Sequence, residues 1–288
     1  MLLVAGPASQ YIAEKMAPLL NLELMKVESK TFPDGESYIR FPKSVEGEDL
    51  VVVQGSHPPQ DRHLIQAFLI AHNARELGAR SVKLVAPYLA YARQDKRFLE
   101  GEAVSILTVL SLLRASGYDS VYTVNIHSPW IAEESPIRLV NVKAEGALAA
   151  HLLEAGLEKP LIVSVGKKGE DMASSVARVL GADYTFARSM RDRETGVVRV
   201  ELGEVSADTA LVVDDIISTG GTMVEVVKAL KSRGVRRVYA ACIHALLVDG
   251  AAKKILDAGA ERIIASDTIP NDYMEFTVAG VLAEALSK

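Results

Sequence analysis

The stretch LVVDDIISTGGTM, residues 211–223, combines an apolar run, two adjacent carboxylates and a cluster of small hydroxyl residues and glycines. The apolar run has the length of a buried β-strand, and an apolar helical period resumes after the glycines. A strand, a glycine-rich turn and a helix in this order present backbone N–H groups at a helix start, where they bind anions such as phosphate. The stretch therefore predicts a phosphate-binding turn at the carboxyl end of a strand in a parallel α/β sheet.

Short apolar runs of the same kind recur along the whole chain. They are continuously apolar rather than alternating, which is typical of strands buried on both faces of a parallel sheet. Periodic segments separate them, and this strand–helix alternation predicts a doubly wound α/β architecture. Besides the run at 210–215, the predicted strands cover residues 2–6, 50–55, 82–87, 121–127, 161–166, 238–245 and 262–267.

Two of the periodic segments, residues 61–79 and 221–235, are predicted helices. In the first, apolar residues at positions i, i+3, i+4 and i+7 share one helix face. These residues are Leu64, Ala67, Phe68 and Ala71. Gly78 and Gly234 stand where helices commonly end.

Each half of the chain carries enough predicted strands for a sheet of its own. We therefore predict two α/β domains, residues 1–140 and 141–276, and a C-terminal helix over residues 277–288 that could pack on either domain. A single large sheet is the alternative architecture. Three stretches with weak strand and helix signals are predicted functional loops, because loops often carry the chemistry of a scaffold. They are residues 31–42, 88–102 and 187–198.

The composition is that of an ordinary globular protein and excludes several classes. With 288 residues and a formal net charge of −5, the chain lacks the basic excess of a general nucleic-acid binder. One cysteine, Cys242, excludes an intrachain disulfide framework, and its apolar surroundings predict a buried thiol. The amino-terminal sequence lacks the basic region of a signal peptide, and no apolar run reaches the roughly 18 residues of a membrane span. We expect a cytoplasmic protein without membrane or nucleic-acid partners.

The two carboxylates before the glycines indicate which phosphate ligand this turn binds. A nucleotide-binding P-loop carries a lysine that this stretch lacks, and the GKK at 166–168 has Leu161 in place of the first glycine of that motif. A sugar phosphate explains the pattern, because carboxylates accept hydrogen bonds from ribose hydroxyls while N–H groups hold the phosphate. The alternative is that Asp214 and Asp215 only cap a helix and solvate a loop.

Residues 212–222, VVDDIISTGGT, resemble the ribose-phosphate loop of the phosphoribosyltransferase fold. That loop occurs in transferases that consume phosphoribosyl diphosphate and in the synthetase that makes it. TFPDGE at 31–36 and YARQDK at 91–96 resemble the ATP-binding segments of ribose-phosphate diphosphokinase, and VNIH follows at 124–127. Along essentially its whole length the chain is similar to this family, which is also called phosphoribosyl diphosphate synthetase.

The resemblance implies two phosphoribosyltransferase-like domains, each a mainly parallel sheet flanked by helices, with ATP on the first and ribose 5-phosphate on the second. It implies transfer of the diphosphoryl group of ATP to the anomeric hydroxyl of ribose 5-phosphate, giving phosphoribosyl diphosphate and AMP. Mg²⁺ is the implied cofactor. Because the loop at 31–36 reaches the ATP of a neighbouring subunit in this family, a homodimer or larger homo-oligomer is also implied.

The resemblance also implies roles for individual residues, position by position. Phe32 lies on the adenine, which Asp34 and Glu36 select by hydrogen bonding, and His127 is a ligand of Mg²⁺ or of an ATP phosphate. The other residues implied to hold ATP are Arg93, Gln94, Asp95 and Lys96. Those implied to hold ribose 5-phosphate are Asp214, Asp215, Ser218, Thr219, Gly220, Gly221 and Thr222.

Three short stretches depart from the family pattern near the expected chemistry. The family typically has Pro-Asp where this chain has Val165 and Gly166, and Asn125 replaces an acid two residues before the histidine. The mobile catalytic loop usually carries a lysine two residues before an arginine. Aligning that arginine on Arg191 puts Ser189 at the lysine position. The catalytic candidates are therefore Arg191, Arg188, Arg193 and His127.

These departures leave two further hypotheses open. One is a catalytically weak synthetase homologue with a regulatory or scaffolding role, in which substrates bind without full turnover. The other is a phosphoribosyltransferase that acts on a base, which shares the loop at 212–222 and leaves the two ATP segments unexplained. An active diphosphokinase accounts for all three stretches.

Overall fold

The computed structural model describes residues 1–191 and 198–288. The chain divides into two compact units, one formed by Met1–Lys143 together with Val278–Lys288 and the other by Ala144–Thr277. Each unit is built around a parallel sheet of its own. We number strands and helices in chain order.

The first unit has a six-stranded parallel sheet. Its strands are β1 (Leu2–Ala5), β2 (Leu24–Lys26), β5 (Asp49–Val53), β6 (Ser81–Ala86), β7 (Ser120–Val124) and β8 (Arg138–Val142), with a separate hairpin of β3 (Glu28–Thr31) and β4 (Ser37–Arg40). Its helices are α1 (Gln10–Leu20), α2 (Gln60–Glu76), α3 (Ser105–Ala115), α4 (Ile131–Glu134) and α9 (Ala279–Leu286). The order in the sheet is β2-β1-β5-β6-β7-β8, and the C-terminal helix α9 packs on α1 and β8.

The second unit has a seven-stranded sheet that is parallel except at one edge. Its strands are β9 (Leu161–Val165), β10 (Tyr184–Arg191), β11 (Val198–Glu201), β12 (Thr209–Ile217), β13 (Arg237–Ala245), β14 (Arg262–Ser266) and β15 (Met274–Phe276). Its helices are α5 (Glu145–Glu154), α6 (Glu170–Leu180), α7 (Gly221–Ser232) and α8 (Ala251–Asp257). The order is β11-β10-β9-β12-β13-β14-β15, and β10 pairs with β11 antiparallel.

The helical face predicted on α2 packs on the core of the first unit. Its buried residues are Leu64, Ala67 and Ala71, with Phe68 partly buried against the same core. Gly78 and Gly234 follow α2 and α7 with φ angles of +86° and +85°, which glycine adopts without strain. The predicted helices and helix-ending glycines are therefore confirmed.

Two of the predicted loops contain strands instead. Most of the stretch at 31–42 belongs to the β3–β4 hairpin, whose first strand is exposed at all four residues and so gives no apolar alternation. Residues 187–191 continue β10, in which residues 188–191 pair with β11, while residues 192–197 lie outside the described part of the chain. The prediction of loops over 31–42 and 187–198 is therefore wrong at these strands.

Cys242 lies in β13 and is fully buried, as predicted for a structural thiol. Burial raises the pKa of the thiol, and the neighbouring Asp214 carboxylate raises it further. Within residues 1–191 and 198–288, no helix is both long enough and apolar enough to span a membrane.

Candidate functional site

The predicted ribose-phosphate loop follows β12, which lies between β9 and β13 in the sheet. Strand pairing continues beyond the aspartates to the buried Ile217, so β12 ends two residues later than the sequence pattern predicts. Asp214 and Asp215 are half-buried. The N–H of Asp215 donates to Asp214 Oδ1 at 3.0 Å, and the N–H of Ile216 donates to Asp215 Oδ1 at 2.9 Å. The backbone thus holds both carboxylates at the strand end.

The turn after β12 leads directly into α7. Gly220 is buried with φ +73°, and an added β-carbon would lie 3.1 Å from Ala251 Cβ on α8. Gly221 is exposed and has open space around its α-carbon. The hydroxyl residues Ser218, Thr219 and Thr222 are exposed or half-buried. The free N–H groups of the first turn of α7 and these hydroxyls form the kind of nest that binds phosphate.

The turn after β9 stands beside this nest, because β9 pairs with β12. Gly166 is the residue at the position of the missing acid, and it has φ +84° and ψ 164°, a combination that is essentially restricted to glycine. Ser164 Oγ donates to the carbonyl of Gly166 at 3.0 Å. Lys167 and Lys168 follow and are exposed. This turn offers cations to an anionic ligand in place of the carboxylate.

The hairpin turn of the first unit presents the three residues predicted to recognise adenine. The N–H of Phe32 donates to the carbonyl of Glu36 at 2.8 Å, and the N–H of Glu36 donates to Asp34 Oδ1 at 3.2 Å. The Phe32 ring is exposed and meets the edge of Tyr38 at 6.0 Å between centroids. The Lys30 ammonium lies 4.8 Å from each ring centroid. The turn therefore holds an aromatic ring and two carboxylates at the surface.

The loop of residues 88–102 follows the carboxyl end of β6 and contains the predicted ATP-binding residues 91–96. We call this loop the ATP segment. Arg93 and Lys96 are exposed and Gln94 is half-buried, so these side chains are accessible to a nucleotide. Asp95 differs from them, because it is only 4% exposed. The Asp95 carboxylate accepts a hydrogen bond from the hydroxyl of Ser128, which follows β7.

His127 follows β7 at the same edge of the sheet and is half-buried. Asn125 has φ +38°, a left-handed conformation that asparagine adopts more readily than most residues. Its N–H donates to the carbonyl of Val142, and the N–H of Ile126 donates to Asn141 Oδ1, both at 2.9 Å. Strand β8 therefore fixes the loop that carries His127.

Glu102 is a carboxylate that shapes the predicted ATP segment and was not predicted from the sequence. Glu102 Oε2 accepts the N–H groups of Phe98 at 2.8 Å and Leu99 at 3.0 Å, and also Gln94 Nε2 at 3.3 Å. These hydrogen bonds lower the pKa of Glu102. A single acid after a glycine gives no sequence signal for this role.

The candidate catalytic arginines fall mostly outside the described side chains. Arg188 is exposed on β10, with its guanidinium 5.9 Å from the centroid of Phe186. The side chain of Arg191 and the whole of Arg193 lie outside the described residues. Their catalytic roles remain predictions.

The chain matches known proteins over nearly its whole length. A family model for the N-terminal domain of ribose phosphate pyrophosphokinase matches residues 1–117, and a phosphoribosyl transferase domain model matches residues 138–275. The ribose-phosphate pyrophosphokinase of Sulfolobus acidocaldarius is 38% identical over 286 residues, which cover 98% of this chain and 97% of the relative. The chain belongs to the ribose-phosphate pyrophosphokinase family.

Further members of the pyrophosphokinase family support the same assignment. The ribose-phosphate pyrophosphokinase of Saccharolobus solfataricus is 39% identical over 272 residues, 93% of either chain. The crystal structure of phosphoribosylpyrophosphate synthetase from Mycobacterium smegmatis superposes with a TM-score of 0.88 at 26% identity, covering 99% of this chain and 97% of that one. The predicted fold class and enzyme type are therefore confirmed. A base phosphoribosyltransferase does not account for the pyrophosphokinase match over residues 1–117.

Proposed function

We propose that this chain transfers the diphosphoryl group of ATP to the anomeric hydroxyl of ribose 5-phosphate, with phosphoribosyl diphosphate and AMP as products. The anomeric oxygen attacks the β-phosphorus of ATP, and the bond from this phosphorus to the α–β bridging oxygen breaks. AMP carries the bridging oxygen away, and the hydroxyl proton is released to solvent. The observation that carries the proposal is the pair of half-buried carboxylates beside the phosphate nest after β12, in a member of this family.

In this proposal the turn after β12 binds ribose 5-phosphate through two kinds of contact. Asp214 and Asp215 accept hydrogen bonds from ribose hydroxyls, and residues 218–222 hold the 5-phosphate with N–H and hydroxyl donors. The exposed Thr219 and Gly221 and the half-buried Ser218 and Thr222 in this turn support the assignment. The carboxylates also select against phosphate esters that lack the two hydroxyls.

ATP is proposed to bind to the first unit. Arg93 can fork onto phosphate oxygens, and Lys96 adds a second exposed cation beside Gln94. His127 contacts the ATP phosphates directly or through Mg²⁺. Phe32, Asp34 and Glu36 are proposed to recognise adenine from the hairpin turn.

The residues of the proposed ATP site fit a Mg²⁺ ion that is bound mainly by the substrate. Among the described residues, no group of three or more His, Cys, Asp or Glu side chains forms a metal cage. Mg²⁺ at phosphate sites is commonly held by one or two protein groups, substrate phosphates and water, and His127 is the candidate here. When bound, the ion neutralises phosphate charge. The protein positions both substrates and supplies cations as charge develops, which is most of what phosphoryl-type transfer requires.

Arginines near the end of β10 are proposed to supply the catalytic cations. We expect Arg191→Ala to lower kcat by about 10²–10³-fold, since removing one donor to a developing charge has this effect. Arg188→Ala and Arg193→Ala serve as comparisons that identify which position acts. Equal kcat values for all three variants and the parent protein would remove these arginines from the mechanism.

The direct test is to incubate the purified protein with ATP, ribose 5-phosphate and Mg²⁺ and to separate the nucleotides. AMP and phosphoribosyl diphosphate should appear in equal amounts, and Asp214→Asn combined with Asp215→Asn should abolish both. A lack of AMP above a heat-inactivated control across several divalent metals would show that the proposed reaction is wrong.

The conformation of Gly166 favours one second candidate function, a catalytically weak homologue that regulates or scaffolds an active synthetase. The turn after β9 has no carboxylate at this position, and its backbone is of the glycine type. This candidate predicts that ATP binds in a calorimeter while AMP formation stays negligible. Substitution Ser189→Lys should then raise turnover. Full turnover of the parent protein would exclude this candidate.

We also propose that the protein is a homo-oligomer in which the hairpin turn of one subunit completes the ATP site of another. The exposed turn residues Phe32, Asp34 and Glu36 support this arrangement. Phe32→Ala and Arg93→Ala variants should each be impaired. After subunit exchange, an equal mixture should regain about one quarter of the parental activity in a twofold dimer, because one site of each mixed dimer is intact. No recovery despite exchange would place both residues in the same subunit's site.

A further inference from the structure

The ATP segment after β6 is held by buried hydroxyl groups on both sides. At its start, Ser56 after β5 donates from its N–H to the carbonyl of Tyr88 at 2.9 Å, and its Oγ accepts the N–H of Ala90 at 2.7 Å. Further along the segment, the Asp95 carboxylate accepts a hydrogen bond from the hydroxyl of Ser128, which follows β7. Strands β5, β6 and β7 are neighbours in the sheet, so these contacts connect three adjacent strand ends.

The burial of the second contact separates Asp95 from the rest of the segment. Asp95 is 4% exposed and Ser128 is 3% exposed, whereas Arg93 and Lys96 are exposed on either side. A carboxylate bonded to a buried hydroxyl is poorly placed to contact a nucleotide at the surface. It is well placed to fix the backbone of its neighbours, because buried polar groups with partners rigidify their surroundings.

We infer that Asp95 and Ser128 are a positioning pair rather than ligands of ATP. Their hydrogen bond fixes the ATP segment relative to the loop that carries His127. Ser128 is adjacent to His127, and Asp95 is adjacent to Gln94, so one hydrogen bond couples two groups proposed to contact the same nucleotide. The inference rests on the proposed function for the identity of that nucleotide. It replaces the sequence-based assignment of Asp95 to direct ATP binding.

A double-mutant cycle tests whether Asp95 acts through its hydrogen bond with Ser128. The variants are Asp95→Asn, Ser128→Ala and the double variant, with Ser111→Ala as the control for loss of an exposed serine hydroxyl on α3. For a positioning pair, each single variant should raise the KM for ATP by about tenfold. The KM of the double variant should be close to that of either single variant, because both substitutions remove the same hydrogen bond. The KM for ribose 5-phosphate should stay within about twofold of the parental value.

Two results would overturn the inference. Multiplicative effects of the two substitutions on the KM for ATP would indicate that Asp95 acts without Ser128. Equal increases in the KM for ATP and the KM for ribose 5-phosphate would indicate that the substitutions destabilise the whole protein. If the double variant does not fold, Ser128→Ala alone still decides the question, because a purely structural effect would not favour one substrate.

Calorimetric titration of ATP into the full chain separates this inference from the proposed function. A parent protein that forms no AMP would refute the proposed reaction. The positioning role would stand if both single variants still weakened ATP binding about tenfold relative to Ser111→Ala. Unchanged ATP binding in both variants would refute the positioning role whatever the turnover.

Discussion

Gly220 and Gly221 stand side by side in the turn after β12, and each is glycine for a different reason. Gly220 has φ +73°, and an added β-carbon would lie 3.1 Å from Ala251 Cβ and 3.2 Å from Ile255 Cδ1 of α8. Both the backbone and the packing disfavour a side chain at this position. Gly221 has open space where a β-carbon would lie, so packing does not require a glycine there, as expected if a ligand approaches the backbone closely.

Alanine substitutions at these two positions should therefore have opposite effects. We expect Gly220→Ala to lower the free energy of unfolding by about 1–3 kcal/mol, because of its left-handed backbone and close contacts. Gly221→Ala should fold with parental stability and raise the KM for ribose 5-phosphate by at least about tenfold, because its methyl group meets the phosphate. Urea unfolding and steady-state kinetics measure the two effects. A parental KM for Gly221→Ala would contradict phosphate binding at this turn.

Gly166 provides a second prediction at the residue scale. Restoring the family's acid with Gly166→Asp should lower the free energy of unfolding by about 1–3 kcal/mol, because φ +84° with ψ 164° strains any residue with a β-carbon. Lys167→Asp is the matched control, since it places a carboxylate in the same turn and should stay within about 0.5 kcal/mol of the parent. Equal stability of Gly166→Asp and the parent protein would show that this turn adapts easily.

At the scale of elements, the ATP segment shows how a stretch without regular structure acquires a fixed shape. Glu102 fixes the shape of the segment by accepting hydrogen bonds from two backbone N–H groups and from the Gln94 amide. Its lowered pKa means that the charged form stabilises the native segment. This contribution is fully present above the ordinary value of 4.5 and is lost as the pH falls through the lowered pKa.

Glu102→Gln should therefore raise the KM for ATP about threefold to tenfold, since hydrogen bonds to a charged acceptor are about twice as strong as neutral ones. The ratio of variant to parental KM should be constant between about pH 5.5 and pH 8, because Glu102 stays charged throughout this range. Glu100→Gln, an exposed neighbour in the same turn, is the matched control. A ratio that approaches one at about pH 6 would contradict a lowered pKa for Glu102.

The elements differ in how well their sequences reveal them. Long apolar runs predicted the central strands of both sheets, because burial on two faces requires uninterrupted apolar residues. The β3–β4 hairpin was missed, since its first strand is exposed and its Pro-Asp-Gly turn indicates a loop. The strands β2 and β15 have three residues each, too few for a detectable period.

At the scale of the whole molecule, the sequence revealed the composition of the two sheets better than their strand order. Several apolar strands in each half predicted two sheets, but strands of equal apolarity give no signal for which pairs are neighbours. Motifs at 31–36, 91–96 and 212–222 were sufficient to indicate the family. The burial of Asp95 inside one of these motifs was not predictable, because its partner Ser128 is 33 residues away in the sequence.

The assignment of one substrate to each unit leads to a prediction for the whole chain. With ribose 5-phosphate alone, amide hydrogen exchange should slow at residues 218–223, where the N–H groups are proposed to hold the phosphate. With ATP and Mg²⁺ alone, it should slow at residues 91–97. A ligand at 100 times its Kd stabilises its binding state by about 2.7 kcal/mol, which slows local exchange by up to about a hundredfold. Inorganic phosphate and ribose are the matched controls, because phosphate can use only the nest and ribose only the two carboxylates. Protection of residues 91–97 by ribose 5-phosphate, with residues 218–223 unchanged, would reverse the assignment of the two units.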